Sequence, residues 1–247
     1  EDTSIMRTIA LPSMLEILSR NNAYHNKAVK LYEIAKIYLP QAGQVLPEEP
    51  KMLVLCTYGA GESFFTLKGE LEAIFAGLRL KKVSYRAEKH NPSYHPGRCA
   101  ALSVDGVDVG VMGQVHPLVA KNYGIDADIY CAEINFTKLM DYRLPDPTYT
   151  PLPKYPAVTR DLALICDEAV TVAQAEDVIT AAAGKLLQDV KLFDIYRGVG
   201  VPEGKKSMAF SLELRADDRT LTDTDSEAVV AKVLADLKEQ LNATLRG

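Results

Sequence analysis

The chain has 247 residues, 47% of them hydrophobic and 25% charged, which is the balance of a soluble globular protein with room for two domains. No apolar run approaches the ~18 residues a membrane helix needs. A net charge of −5, from 28 basic and 33 acidic residues, excludes a generic basic coat for nucleic acid, because phosphate neutralisation dominates such binding; any RNA site has to be local or to work inside a larger assembly.

In chain order, residues 11–21 predict a helix with Leu11, Leu15 and Leu18 on one face. Residues 28–39 alternate like a strand, and 52–58 read as a short buried strand. Residues 65–78 predict an amphipathic helix carrying Leu67, Leu71, Ile74, Phe75 and Leu78. Strands follow at 83–88 and 99–104. Asp105-Gly106 is a hairpin turn signal, with the return strand at 107–115. A short helix at 117–122 and a strand at 129–134 complete a mainly antiparallel α+β unit.

The segment LPDPTYTPLPKYP, 144–156, holds five prolines. Proline fixes φ and keeps its predecessor extended, so this reads as a linker between units 1–147 and 148–247. Beyond it, 159–166 predicts a strand and Thr171 caps a helix running to about Gly184. Strands are expected at 187–196 and 206–215, joined by a glycine-rich turn at 198–204. Asp223 or Thr224 is the expected cap of a second helix with Val230, Val233, Leu234, Leu237 and Leu241 at core spacing. A short strand at 243–246 closes the order βαββαβ, the ferredoxin-like pattern.

That fold covers one sheet face with helices and leaves the other free to bind, as RNA recognition modules do. On 187–196, alternation assigns Phe193 and Ile195 to the core and Leu192, Asp194 and Tyr196 to the free face. A tyrosine ring can stack on a base while a neighbouring carboxylate accepts from its amino or imino groups, and a small Ala163 on the adjacent strand leaves room for it. The plainer alternative is a strand-end aromatic beside a carboxylate paired to Lys or Arg. Arg160, Lys205, Lys206, Arg215 and Arg219 are candidate phosphate contacts or, equally, solvated surface.

Other motifs carry less chemistry. Cys56, Cys99, Cys131 and Cys166 have no C-x-x-C spacing and read as buried reduced thiols, which suits a cytoplasmic protein. The first residues, Glu1 to Ser4, lack the marks of a signal peptide. Residues 57–63, TYGAGES, follow a strand but lack the Gly-Lys-Ser/Thr of a phosphate loop. His90 and His95 flank prolines, which excludes helical metal geometry. No Ser/His/Asp or Cys/His set has motif support, so no catalytic residue and no metal are assigned.

The second unit resembles the ferredoxin-fold anticodon-binding domain that ends bacterial phenylalanyl-tRNA synthetase beta chains. The strings that carry the likeness are YPAVTRDLALI (155–165), KLFDIYRG (191–198), PEGKKSMAFSLELR (202–215) and RTLTD (219–223). The first unit resembles the part of that chain just before it, through MRTIALPSMLEIL (6–18), KLYEIAKIYLP (30–40), SFFTLKGELEAI (63–74), YHPGR (94–98) and GVMGQVHP (110–117). YHPGR is read as a turn with a structural or interface role.

The resemblance implies that residues 1–147 are a degenerate, N-terminally incomplete class II synthetase core that packs on a catalytic alpha chain. Consistent with that, Lys30 to Ile34 and Tyr130 to Asn135 lack the arginines that hold ATP in active class II cores. It implies an alpha2-beta2 enzyme in which the alpha chain uses Mg-ATP and phenylalanine, with no cofactor here; the beta chain's magnesium ligands fall outside the matching strings. It also places contacts to the first anticodon base of tRNA(Phe), a guanine, on Ala163, Asp194 and Tyr196. Two rivals from other classes are a ferredoxin-like amino-acid-sensing regulatory domain, which would bind free amino acids, and an enzyme with a hidden active site in the first unit.

Overall fold

The structure is a computed structural model that describes residues 4–149 and 151–246. Glu1 to Thr3 at the start of the chain, Thr150 in the proline-rich segment and Gly247 lie outside the described residues. The chain forms two units, Glu1–Pro147 and Thr148–Gly247.

The first unit contains α1 (Leu11–Ala23), β1 (Val29–Lys36), β2 (Lys51–Tyr58), α2 (Phe64–Gly77), β3 (Val83–Ala87), β4 (Tyr94–Val104), β5 (Val107–Val115), α3 (Pro117–Asn122), β6 (Ile129–Asn135) and α4 (Phe136–Asp141). Its six strands form one antiparallel sheet in the order β1-β2-β6-β5-β4-β3. The central pair β2 and β6 is buried on both faces, which is why both strands read as nearly continuous apolar runs. Leu11, Met14, Leu15 and Leu18 of α1 fill one face against Val54, Cys56 and Ile129. Leu67, Leu71 and Phe75 of α2, with Leu139 of α4, fill the other.

Two polar devices fix these helices. Ser63 and Thr66 form a capping box at the start of α2. The orphan N–H groups of Ala10 and Leu11 at the start of α1 both donate to Glu133 Oε1, at 2.8 and 2.9 Å. Burial pushes the Glu133 carboxyl up from the usual value, and those two N–H groups pull it partly back.

Two expectations for this unit are corrected and one element is added. Cys56 and Cys131 are joined by a disulfide, not reduced; they lie 75 residues apart in sequence, but the β2–β6 register sets them directly opposite. Cys99 and Cys166 remain free and buried. YHPGR is no turn between strands: β4 begins at Tyr94, and the segment is an irregularity within the strand between the pairs Tyr94–Val115 and Cys99–Gly113. Finally, α4 is an additional helix, begun by Asn135, whose side chain accepts from the Lys138 N–H.

The second unit contains β7 (Val158–Asp167), α5 (Val172–Ala183), a 3-10 turn (Gly184–Leu186), β8 (Leu187–Tyr196), β9 (Lys205–Leu214), α6 (Asp223–Leu241) and β10 (Thr244–Leu245). The sheet is antiparallel in the order β10-β7-β9-β8. With the element order βαββαβ this is the ferredoxin-like fold, so the chain as a whole is α+β. Leu162, Leu164 and Cys166 of β7 and Met208, Phe210 and Leu212 of β9 meet Ile179 of α5 and Val233 and Leu237 of α6 in one core. Thr171 and Gln174 form a capping box for α5. The cap of α6 is Thr222, paired with Asp225, rather than Asp223 or Thr224. Among the described residues of the chain no helix is long and apolar enough to cross a membrane.

The alternation assigned to 187–196 holds only in part. The β8–β9 register slips by one residue between Leu192–Phe210 and Asp194–Ala209. Phe193 is the extra residue of this bulge and stands 56% exposed, whereas Leu192 packs on the helix side with Val190. Past the bulge Ile195 opposes Met208 on the helix side, and Asp194 and Tyr196 oppose Ala209 and Ser207 on the other.

Candidate functional site

Residues of β7 and β9 that alternate with the core set form the helix-free face of the second unit. Register runs Asp194–Ala209–Ala163 in one row, and Tyr196–Ser207–Ile165–Thr244 in the next. With strands about 4.8 Å apart, Asp194 and Ala163 lie about 10 Å from one another across Ala209. The two alanines make a shallow floor, and Asp194 and Tyr196 stand along one side of it. Thus the structure brings Ala163, Asp194 and Tyr196 onto one surface. Ala209 and Ser207 belong to the same surface and were missed in the sequence; the assignment of Met208 and Phe210 to the core already implied them.

The Tyr196 ring is positioned from three sides. Its hydroxyl donates weakly to the Val199 carbonyl, at 3.4 Å. Gly198 lies so close that an added Cβ would sit 2.8 Å from Tyr196 Oη and 3.0 Å from Cζ. The Arg246 guanidinium carbon lies 5.1 Å from the ring centroid. Arg246 is itself tied to the edge of β7, its backbone N–H donating to the Ala163 carbonyl at 2.8 Å. Nothing in the sequence marked Arg246, because its place depends on the pairing of the two-residue strand β10 with β7.

The five cations expected at phosphates are not gathered here. Arg160 is on the helix side, where it donates to Asp223 and Ser226 at 2.8 and 2.9 Å and so offsets the acidic start of α6. Lys206 is buried on the helix side, with Nζ donating to the Glu168 carbonyl at 2.9 Å. Arg215 sits at the far end of β9 against Gln188 and Glu213. Arg219 is held by Asp225 and Asp218 in the approach to α6. Of the five, Lys205 alone lies on the helix-free face one row from Tyr196, paired to Asp167 at 3.3 Å.

In the first unit, β1 and β6 carry the Lys30 to Ile34 and Tyr130 to Asn135 segments. Glu33 of β1 and Glu133 of β6 flank Val54 in one cross-sheet row. Arg7 is committed to Glu33 at 3.3 Å, Ser13 Oγ and the Lys36 carbonyl. Two carboxylates beside an engaged guanidinium do not fit a triphosphate.

Comparison with known proteins follows the same division. Residues 1–136 match the family model described as phenylalanyl tRNA synthetase beta chain CLM domain. Residues 153–246 match the one described as ferredoxin-fold anticodon binding domain. The phenylalanine–tRNA ligase beta subunit of Clostridium tetani is 44% identical over 247 residues, covering 100% of this chain and 31% of that protein. The same-named proteins of Clostridium acetobutylicum and Symbiobacterium thermophilum are 39% and 40% identical, again over 100% of this chain and over 31% and 29% of their own lengths. The chain therefore spans about a third of the length of these relatives. With a family model matching more than half of its residues and an anticodon-binding fold beside it, the chain belongs to the phenylalanyl-tRNA synthetase beta chain family.

Proposed function

We propose that this chain is a non-catalytic part of a cytoplasmic phenylalanine–tRNA ligase of the alpha2-beta2 type, and that its second unit holds the anticodon stem-loop of tRNA(Phe). The observation that carries this is the joint placement of Asp194 and Tyr196 beside the Ala163–Ala209 floor on the helix-free sheet face. A base laid on that floor stacks on the tyrosine ring. The Asp194 carboxylate, an acceptor only, suits the imino and amino donors of a guanine at the first anticodon position. The alanines exclude nothing by bulk, so discrimination rests on the carboxylate. The test is Asp194→Asn in a binding assay with hairpins carrying guanine or adenine at that position. Loss of the guanine preference supports the assignment; an unchanged preference removes Asp194 from it.

The first unit, in this reading, contacts the catalytic alpha chain and takes no chemical step; Mg-ATP and phenylalanine are handled there. Its support is β1, an edge strand that exposes Tyr32 and Ile34 at 76% and 49%. Exposed apolar side chains on an open edge are the usual mark of a protein contact.

A further inference from the structure

We propose that Arg246 is the phosphate contact of the nucleotide whose base stacks on Tyr196, and that in the free chain its guanidinium holds the base's place on the ring. The inference rests on the anticodon-face reading given above.

Space sets the first constraint. A base between the ring and the guanidinium requires two van der Waals layers, about 7 Å in all. The observed 5.1 Å leaves no room for it. Stacking on this side of the ring therefore requires the guanidinium to move. A cation over a half-exposed ring is held more weakly than a stacked base, so the base can displace it.

Charge sets the second. Lys205, Arg160 and Arg219 have carboxylate partners, Lys206 a carbonyl, and Arg215 an amide and a carboxylate. Arg246 has no carboxylate partner among the described residues; its neighbours are the Tyr196 ring and Gly200, an added Cβ on which would lie 3.7 Å from Nη2. It is thus a cation on the helix-free face that binds phosphate without first breaking an ion pair.

Anchoring sets the third. The backbone of Arg246 is fixed to Ala163, a floor residue, while the side chain crosses toward β8. When a base takes the ring, the guanidinium swings on a stem already rooted beside that base, within reach of its own ribose-phosphate. The acidic Asp194 on the same surface makes a nearby positive charge more necessary, since it repels the phosphate of the nucleotide whose base it selects.

The test is binding of this 247-residue chain to a hairpin RNA carrying the phenylalanine anticodon, with Arg246→Gln, Arg246→Lys and Tyr196→Ala variants. Arg246→Gln should weaken binding and flatten the salt dependence by one single-strand contact, a slope change of about 0.7 in log K against log salt. Its deficit should then shrink by about 2.6-fold between about 50 and 200 mM salt. The deficit should be the same whichever base occupies the first position, because phosphate contacts position rather than specify. Arg246→Lys should restore the slope. If Arg246→Gln binds as well as or better than the unsubstituted chain, or weakens binding with no change of slope, the proposal is overturned. If that happens while Tyr196→Ala and a changed first base still weaken binding, the anticodon face stands without Arg246. If none of the changes matters, the face itself falls.

Discussion

Gly198→Ala perturbs the shape of the candidate site through the Tyr196 ring. The new Cβ would lie 2.8 Å from Tyr196 Oη and 3.0 Å from Cζ, both well inside the ~3.5 Å of ordinary contact. The colliding atoms are the far end of the Tyr196 side chain, so the ring turns aside to relieve the contact. Gly198 also sits at φ +159°, a conformation L side chains rarely adopt, so folding stability should fall as well, by about 1–3 kcal/mol. Base stacking depends on ring orientation and is worth about 1–3 kcal/mol, so RNA affinity should fall by roughly 5- to 140-fold. Denaturant unfolding reads the first quantity, and fluorescence anisotropy with a labelled anticodon hairpin reads the second. Unchanged affinity would refute the placement of a base on this ring. A stability loss well beyond about 3 kcal/mol would refute the claim that the ring yields to the new Cβ.

Glu133 and Tyr32 give further predictions. Glu133→Ala orphans the Ala10 and Leu11 N–H groups at the start of α1 and should destabilise the first unit by about 2–4 kcal/mol, read from denaturant midpoints. Because burial holds the Glu133 carboxyl above the usual 4.5, the folded state keeps a proton that the unfolded chain releases. Its favourable contribution is complete below pH 4.5 and is lost as pH rises through the raised folded value. Glu133→Gln keeps an acceptor and does not titrate, so its stability relative to the unsubstituted chain should climb over that rise; parallel pH profiles would contradict this. Tyr32→Glu should weaken co-purification with the alpha chain and leave hairpin binding unchanged, and retained association would move the interface away from β1.

Strand parity and helix periodicity carried most of this fold in the sequence. Met208, Phe210 and Leu212 alternate cleanly because one face of β9 packs on helices and the other does not. Parity likewise put Asp194 and Tyr196 on the face opposite the helices, although it misplaced Leu192 and Phe193. A bulge inserts one residue and inverts parity, and two adjacent apolar side chains carry no mark of which one is extra. The cap of α6 was missed because TLTDTDS offers several capping residues in succession, and only the hydrogen bonds of Thr222 with Asp225 choose among them. The Cys56–Cys131 bridge and the reach of Arg246 to Tyr196 were invisible for a common reason. Each joins residues far apart in sequence, and only the pairing of strands brings them together. The cations failed for the opposite reason: charge is plain in sequence, but whether it is free or spent on a neighbouring carboxylate is decided by the fold.

The most direct test of the anticodon face is the affinity of this chain, at low salt, for a hairpin with the phenylalanine anticodon, compared with Tyr196→Ala and with a hairpin altered at the first anticodon base. Both changes are expected to weaken binding, Tyr196→Ala by about 1–3 kcal/mol. Binding that ignores both would reduce the interaction to nonspecific charge and contradict the assignment of the base to Ala163, Asp194 and Tyr196.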